Sequence, residues 1–122
     1  MHAKTILLVD DDLDQHQTHG IYLQHLGYRV LSVTDGASAV LIAASVPVDL
    51  VLMDLHMPGE NGLQVARRLR DDPVSADVPV MLVTADAIRA RDLDPEGLAA
   101  VITKPCPLLD LSEQVRRVIG DP

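Results

Sequence analysis

The sequence predicts an α/β domain: a doubly wound, five-stranded parallel sheet with helices on both faces. Three observations carry that expectation. Short apolar runs recur along the chain, at Thr5–Val9, Arg29–Val33, 49–53, 78–83 and 99–103. Three of them, Ile6-Leu7-Leu8-Val9, Leu50-Val51-Leu52-Met53 and Val80-Met81-Leu82-Val83, are nearly continuous, as in strands buried on both faces. Between the runs lie segments with helical spacing, so strand and helix alternate along the chain, which favours parallel pairing through right-handed crossovers.

The helical segments differ in clarity. The first, Leu13–Leu26, is rich in Gln and His. Its buried contacts are expected from Leu13, Ile21 and Tyr22, and Gly20 inside it costs about 0.5–1 kcal/mol relative to Ala. His16 and His19, one turn apart, are read as part of an exposed polar face rather than a metal site. The Asp35-Gly36 pair opens the second helix, with Ala37, Val40, Leu41 and Ala44 inward. Leu63, Ala66 and Leu69 mark the third, beside the Arg67-Arg68 pair. Leu108, Leu111, Val115 and Val118 mark the last, with Asp110, Glu113, Arg116 and Arg117 on its wet face. Gly120-Asp121-Pro122 then reads as a helix stop.

A chain of 122 residues suits a single domain, 1–122, with a core over about 4–119. Hydrophobic residues make up 48% of it, yet there is no Phe or Trp, so Val, Leu, Ile, Ala and Met must fill the core. The same lack removes the stacking groups that single-stranded nucleic acid needs. A formal net charge of -8 repels phosphate backbones, so no direct nucleic-acid contact is expected. Cys106 is the single cysteine, which excludes an intrachain disulfide and a cysteine-based zinc site. The apolar segment after Met1-His2-Ala3-Lys4 is too short for a signal-peptide core or a membrane span, so the expectation is a cytoplasmic protein without membrane contact.

In a doubly wound sheet ligands bind at the carboxyl ends of the strands. The polar residues there are Asp10, Asp11 and Asp12 after the first run, Asp54 after the third, Thr84 after the fourth and Lys104 after the fifth. Two carboxylates ~4 Å apart repel by roughly 4 kcal/mol at an effective dielectric of about 20, so such a cluster wants a cation. All-oxygen donors with room for water and phosphate suit Mg²⁺ better than zinc. The plainer alternative is that Asp10, Asp11, Asp12 and Asp14 only cap the first helix, where acids complement the dipole. Asp54 on a neighbouring strand end argues against it. A carboxylate held between a buried strand and a Pro-Gly turn can act as a nucleophile toward phosphorus. Lys104 can pair with Asp54 at rest and with phosphoryl oxygens afterwards. The Lys104–Pro105 bond is a candidate cis peptide. Thr84 offers a hydroxyl to a phosphoryl oxygen or a cap to the next helix.

The set Asp10-Asp11, Asp54, Thr84 and Lys104 resembles the active site of response-regulator receiver domains. So do the segments Asp54-x-x-Met57-Pro58-x-x-x-Gly62 and Pro79-Val80-Met81-Leu82-Val83-Thr84-Ala85, and the Lys104-Pro105 pair. The likeness spans residues 5 to about 119. It implies a flavodoxin-like sheet of strand order 2-1-3-4-5 and a phosphoacceptor at Asp54. Mg²⁺ would be bound by Asp11, Asp54 and the main-chain carbonyl of His56, with Asp10 on its water shell. Thr84 and Lys104 would grip the phosphoryl group. The implied partners are a histidine kinase or a histidine phosphotransfer protein, together with a downstream output domain or protein, and a homodimer is compatible. The domain would catalyse only its own phosphoryl transfer and dephosphorylation. His56 and Asp86 fall where similar domains tune phosphoryl loss.

The chain also departs from the family pattern. The position three before the lysine, usually Tyr or Phe, is Val101, and the position after Lys-Pro, commonly Phe, is Cys106. The usual coupling of the threonine to an aromatic ring is therefore expected to be absent. Pro95 falls where the fourth helix should end, so that helix is expected to be short or irregular, around 87–93, with an atypical output surface. Two other readings compete. A phosphorylation-independent pseudo-receiver would keep the fold and bind partners without phosphate. A haloacid-dehalogenase-type phosphatase would use Asp10 as nucleophile in Asp10-Asp11-Asp12. Asp14 then stands where that motif needs Thr or Val, and Asp54 goes unexplained.

Overall fold

The five apolar runs form one sheet, and their order in it is 2-1-3-4-5. In a computed structural model, residues 3–57, 59–86 and 98–122 are described, the side chains of Leu13, Gln15 and His16 excepted. The strands are β1 (Thr5–Val9), β2 (Arg29–Val33), β3 (Leu50–Asp54), β4 (Val80–Thr84) and β5 (Ala100–Thr103). The described helices are α1 (Leu13–Leu26), α2 (Gly36–Ser45), α3 (Gly62–Asp71) and the C-terminal α4 (Leu108–Ile119). Every pairing is parallel. β1 and β4 are buried at every position, as their continuous apolar sequence requires, whereas the edge strands β2 and β5 are not.

Alternation along each strand divides the core in two. Leu7, Val9, Val51, Met53 and Leu82 face α2 and α3, where Ala39, Ala43, Val65, Ala66 and Leu69 meet them. Ile6, Leu8, Leu50, Leu52, Met81 and Val83 face the other way, under Leu23 of α1 and Leu111 and Val115 of α4. Helices thus cover both faces, and all five strands point their carboxyl ends at one rim.

The helix phases need two corrections. In α1 the residues turned to the sheet are His19, Gly20 and Leu23, while Ile21 is 64% exposed. His19, expected on a wet face, is therefore buried. At Gly20 α1 lies over Leu8 and Val30, at a distance that an added Cβ would bridge at ordinary contact. In α2 the buried residues are Gly36, Ala39 and Ala43, and Leu41 is 68% exposed. That helix is apolar nearly all round, so composition gives no phase. α3 and α4, with one apolar stripe each, match expectation.

The expected short fourth helix, around 87–93, and Pro95 lie outside the described residues. Among the described residues no helix is long and apolar enough to cross a membrane.

Candidate functional site

The register explains why distant acids meet. β1 and β3 run side by side with Val9 opposite Met53, so the next residues, Asp10 and Asp54, leave the sheet together. β4 sets Val83 opposite Asp54, which puts Thr84 one step beyond. Thr84 in turn pairs with Thr103, and Lys104 follows, its N–H donating to the Thr84 carbonyl at 2.7 Å. Asp10, Asp11, Asp54, Thr84 and Lys104 therefore collect at the C-terminal rim through hydrogen-bond register alone.

The carboxylates of Asp10, Asp11 and Asp54 offer oxygens that all lie within 4.8 Å of one another. Asp10 is buried, Asp11 exposed and Asp54 half-buried. Burial pushes the Asp10 carboxyl above its ordinary range, and the Asp54 and Asp11 charges push the same way. The Asp12 N–H, donating to Asp10 Oδ1 at 2.8 Å, and the Lys104 ammonium oppose that rise. Three carboxylates face one ammonium here, so the cluster has room for further positive charge. Its donors are hard oxygens with no imidazole or thiolate among them, a set that fits Mg²⁺.

Asp54 is held at both oxygens. Lys104 Nζ donates to Oδ2 at 2.9 Å, the two side chains being only 15% and 12% exposed. The His56 N–H donates to Oδ1 at 3.0 Å. The Lys104–Pro105 peptide is cis, as the sequence suggested. Thr84 is fully buried, and its Oγ1 accepts from the Asp86 N–H at 3.0 Å. An accepting hydroxyl still has its own proton to donate. Beside this site His56 Nε2 lies 3.5 Å from Asp86 Oδ2, so the residues after β3 and β4 touch.

Asp10, Asp11, Asp54 and Lys104 thus meet at one place, with Thr84 on the adjoining strand end. What the residue types hide is the backbone's share. The amides of Asp12 and His56 orient two of the three carboxylates, and every residue but proline carries such a donor, so no sequence signal marks them. Gly62 is legible only as part of a turn. A Cβ there would sit 2.6 Å from the Asp54 carbonyl oxygen, so glycine is what lets α3 start against the end of β3.

A doubly wound sheet whose strand ends gather three acids, a hydroxyl and a lysine has the form of a signalling receiver. The chain belongs to the response regulator receiver domain family, whose model matches residues 6–116. The phosphate regulon transcriptional regulatory protein PhoB of Pseudomonas aeruginosa is 30% identical over 121 residues, which cover 98% of this chain and 53% of PhoB. The chain thus spans about half of that relative's length. The polar-differentiation response regulator DivK of Brucella ovis is 28% identical over 121 residues and is covered to 98%, as is this chain. Among solved structures, the receiver domain of the sensor histidine kinase PA1611 of P. aeruginosa superposes with a TM-score of 0.89 at 30% identity, covering 98% of this chain and 100% of that one. That structure has a magnesium ion coordinated in its active-site cleft.

Proposed function

We propose that this receiver domain is a phosphorylation switch whose phosphoacceptor is Asp54, with Mg²⁺ bound by Asp11, Asp54 and the main-chain carbonyl of His56 and with Asp10 on the water shell. The observation that carries the reading is the closeness of three carboxylates, one of them paired with Lys104 at 2.9 Å. Mg²⁺, when bound, supplies the positive charge that lets an anionic phosphorus centre approach an anionic side chain. This chain's residues do the rest. An oxygen of Asp54 attacks phosphorus, the new O–P bond forming as the donor's P–N bond breaks and its imidazole leaves. Lys104 exchanges its bond to Asp54 for one to a phosphoryl oxygen. Thr84 turns its hydroxyl to a second. The released Asp86 amide and the departed lysine change the surface beside β4 and β5, and that change is what a partner reads.

The partners in this reading are a histidine kinase or a histidine phosphotransfer protein upstream and an output domain or protein downstream, in the cytoplasm. The domain catalyses only its own phosphorylation and hydrolysis. With Val101 in place of the family's usual ring, the response passes through Thr84 and Lys104 without an aromatic rotor.

The test is incubation with acetyl phosphate and Mg²⁺, followed by intact-mass measurement. The expected result is a gain of one phosphoryl group, lost with chelator and lost in Asp54→Asn. No gain from acetyl phosphate or from any histidine-phosphorylated donor returns the chain to a pseudo-receiver. A gain that survives Asp54→Asn but not Asp10→Asn points to the phosphatase-type nucleophile instead.

A further inference from the structure

We infer that the Glu60–Arg68 ion pair positions the loop that bears the His56 carbonyl, and so sets the affinity of the cation site; the inference rests on the phosphoacceptor reading above.

The chain between Asp54 and α3 is tied at its two ends. The Leu55 N–H donates to the Val83 carbonyl at 3.1 Å, and the Gly62 N–H donates back to the Leu55 carbonyl at 2.7 Å. Near the start, the His56 N–H is fixed by Asp54 Oδ1. The His56 carbonyl belongs to the next peptide, and its direction depends on the path that follows. The chain bends at Gly59, where φ is 83°. At the bend, Glu60 reaches eight residues ahead to α3. Arg68 Nη1 donates to both of its carboxylate oxygens, at 2.6 and 2.8 Å.

The pair sits in a prepared place. A Cβ on Gly36 would lie 2.7 Å from Glu60 Oε1 and 2.5 Å from a Val65 methyl. The first residue of α2 therefore has no side chain where the carboxylate lies, and an acid beside that helix start is favoured by the dipole. One carboxylate thus joins α2, α3 and the loop. At 45% and 27% side-chain exposure, Arg68 and Glu60 form a pair that adds little to global stability. Effects on loop geometry can be read apart from effects on folding.

The test uses the whole chain as wild type, Glu60→Gln, Arg68→Gln and the double variant. Mg²⁺ affinity is read by calorimetric titration, and urea midpoints are read in EDTA. Each single variant is expected to weaken Mg²⁺ binding about three- to tenfold, in the manner of outer supports to a metal site. The double variant is expected to be no weaker than either single, because a lone partner has nothing to hold. Midpoints in EDTA are expected to stay near wild type. Unchanged affinity in all variants overturns the inference. So do losses that multiply in the double variant, or losses that track a fall in the EDTA midpoint. A wild-type chain that takes up no Mg²⁺ overturns the phosphoacceptor reading itself, and that outcome is visible before any variant is made.

Discussion

Gly62 shows how tightly the end of β3 is packed. Its missing Cβ would meet the Asp54 carbonyl oxygen at 2.6 Å and Leu55 Cα at 3.1 Å, both backbone atoms that cannot rotate away. Gly62→Ala is expected to cost about 1–3 kcal/mol in urea unfolding. It should also weaken Mg²⁺ binding, because Asp54 moves with the strand end. Asp10 makes the opposite case. A carboxyl whose folded pKa is raised above its unfolded 3.8 favours the protonated native state. Stability in the metal-free protein is therefore lost as pH rises through the folded pKa. Asp10→Asn keeps an acceptor for the Asp12 amide and removes the charge. The variant is expected to be more stable than wild type in EDTA, by on the order of 1 kcal/mol, and to gain less from Mg²⁺. Equal urea midpoints in EDTA would show that the bare cluster is not strained. At this scale the side chains that gather at the rim were legible in the sequence, because carboxylates, a lysine and a hydroxyl at strand ends are visible as letters. The amides of Asp12 and His56 and the ion pair of Glu60 with Arg68 are not. The first two are backbone, and the third joins residues that only a specific loop shape brings together.

The helices α1 and α2 show what hydrophobic spacing leaves open. α3 and α4 carry a single apolar stripe, and their buried faces followed from it. α1 has too few apolar residues to define a stripe, and α2 has too many. In α1 the sheet-facing residues include a histidine, with a consequence for pH. Burial lowers the His19 pKa from 6.5, and the Lys104 charge lowers it further. The unfolded chain then binds more protons than the native one. The His19 contribution to stability is present above pH 6.5 and is lost as pH falls toward the lower folded value. His19→Leu is expected to flatten the fall in urea midpoint below that pH; an unchanged slope would assign the fall to other groups. Gly20 is the neighbouring case. An added Cβ would meet Leu8 Cδ2 at 3.5 Å, ordinary contact distance. Gly20→Ala is expected to raise stability by about 0.5–1 kcal/mol through the unfolded chain's entropy. A loss of stability instead would mean that α1 already lies as close to the sheet as it can.

For the molecule as a whole, a cation held at the acid cluster is expected to be linked to folding. Mg²⁺ at about a hundred times its dissociation constant is expected to raise the free energy of unfolding by about 2.7 kcal/mol, a gain that EDTA removes. Thermal unfolding with and without the ion measures it, and an unchanged midpoint would speak against the site. The expected linkage follows from the cluster spanning the ends of β1 and β3, because the unfolded chain does not bring these acids together. The doubly wound class, the five strands and the side chains at their ends were legible in the sequence. Continuous apolar runs dictate burial on both faces, and parallel connection then forces every strand end onto one rim. The strand order 2-1-3-4-5 came from likeness to a family, because local pattern does not say which strands are neighbours. The phases of α1 and α2, the burial of His19, and the meeting of Glu60, Arg68 and Gly36 were decided only in three dimensions. Each depends on which surface a segment finds opposite it, and a residue's own chemistry does not record its neighbours across the fold.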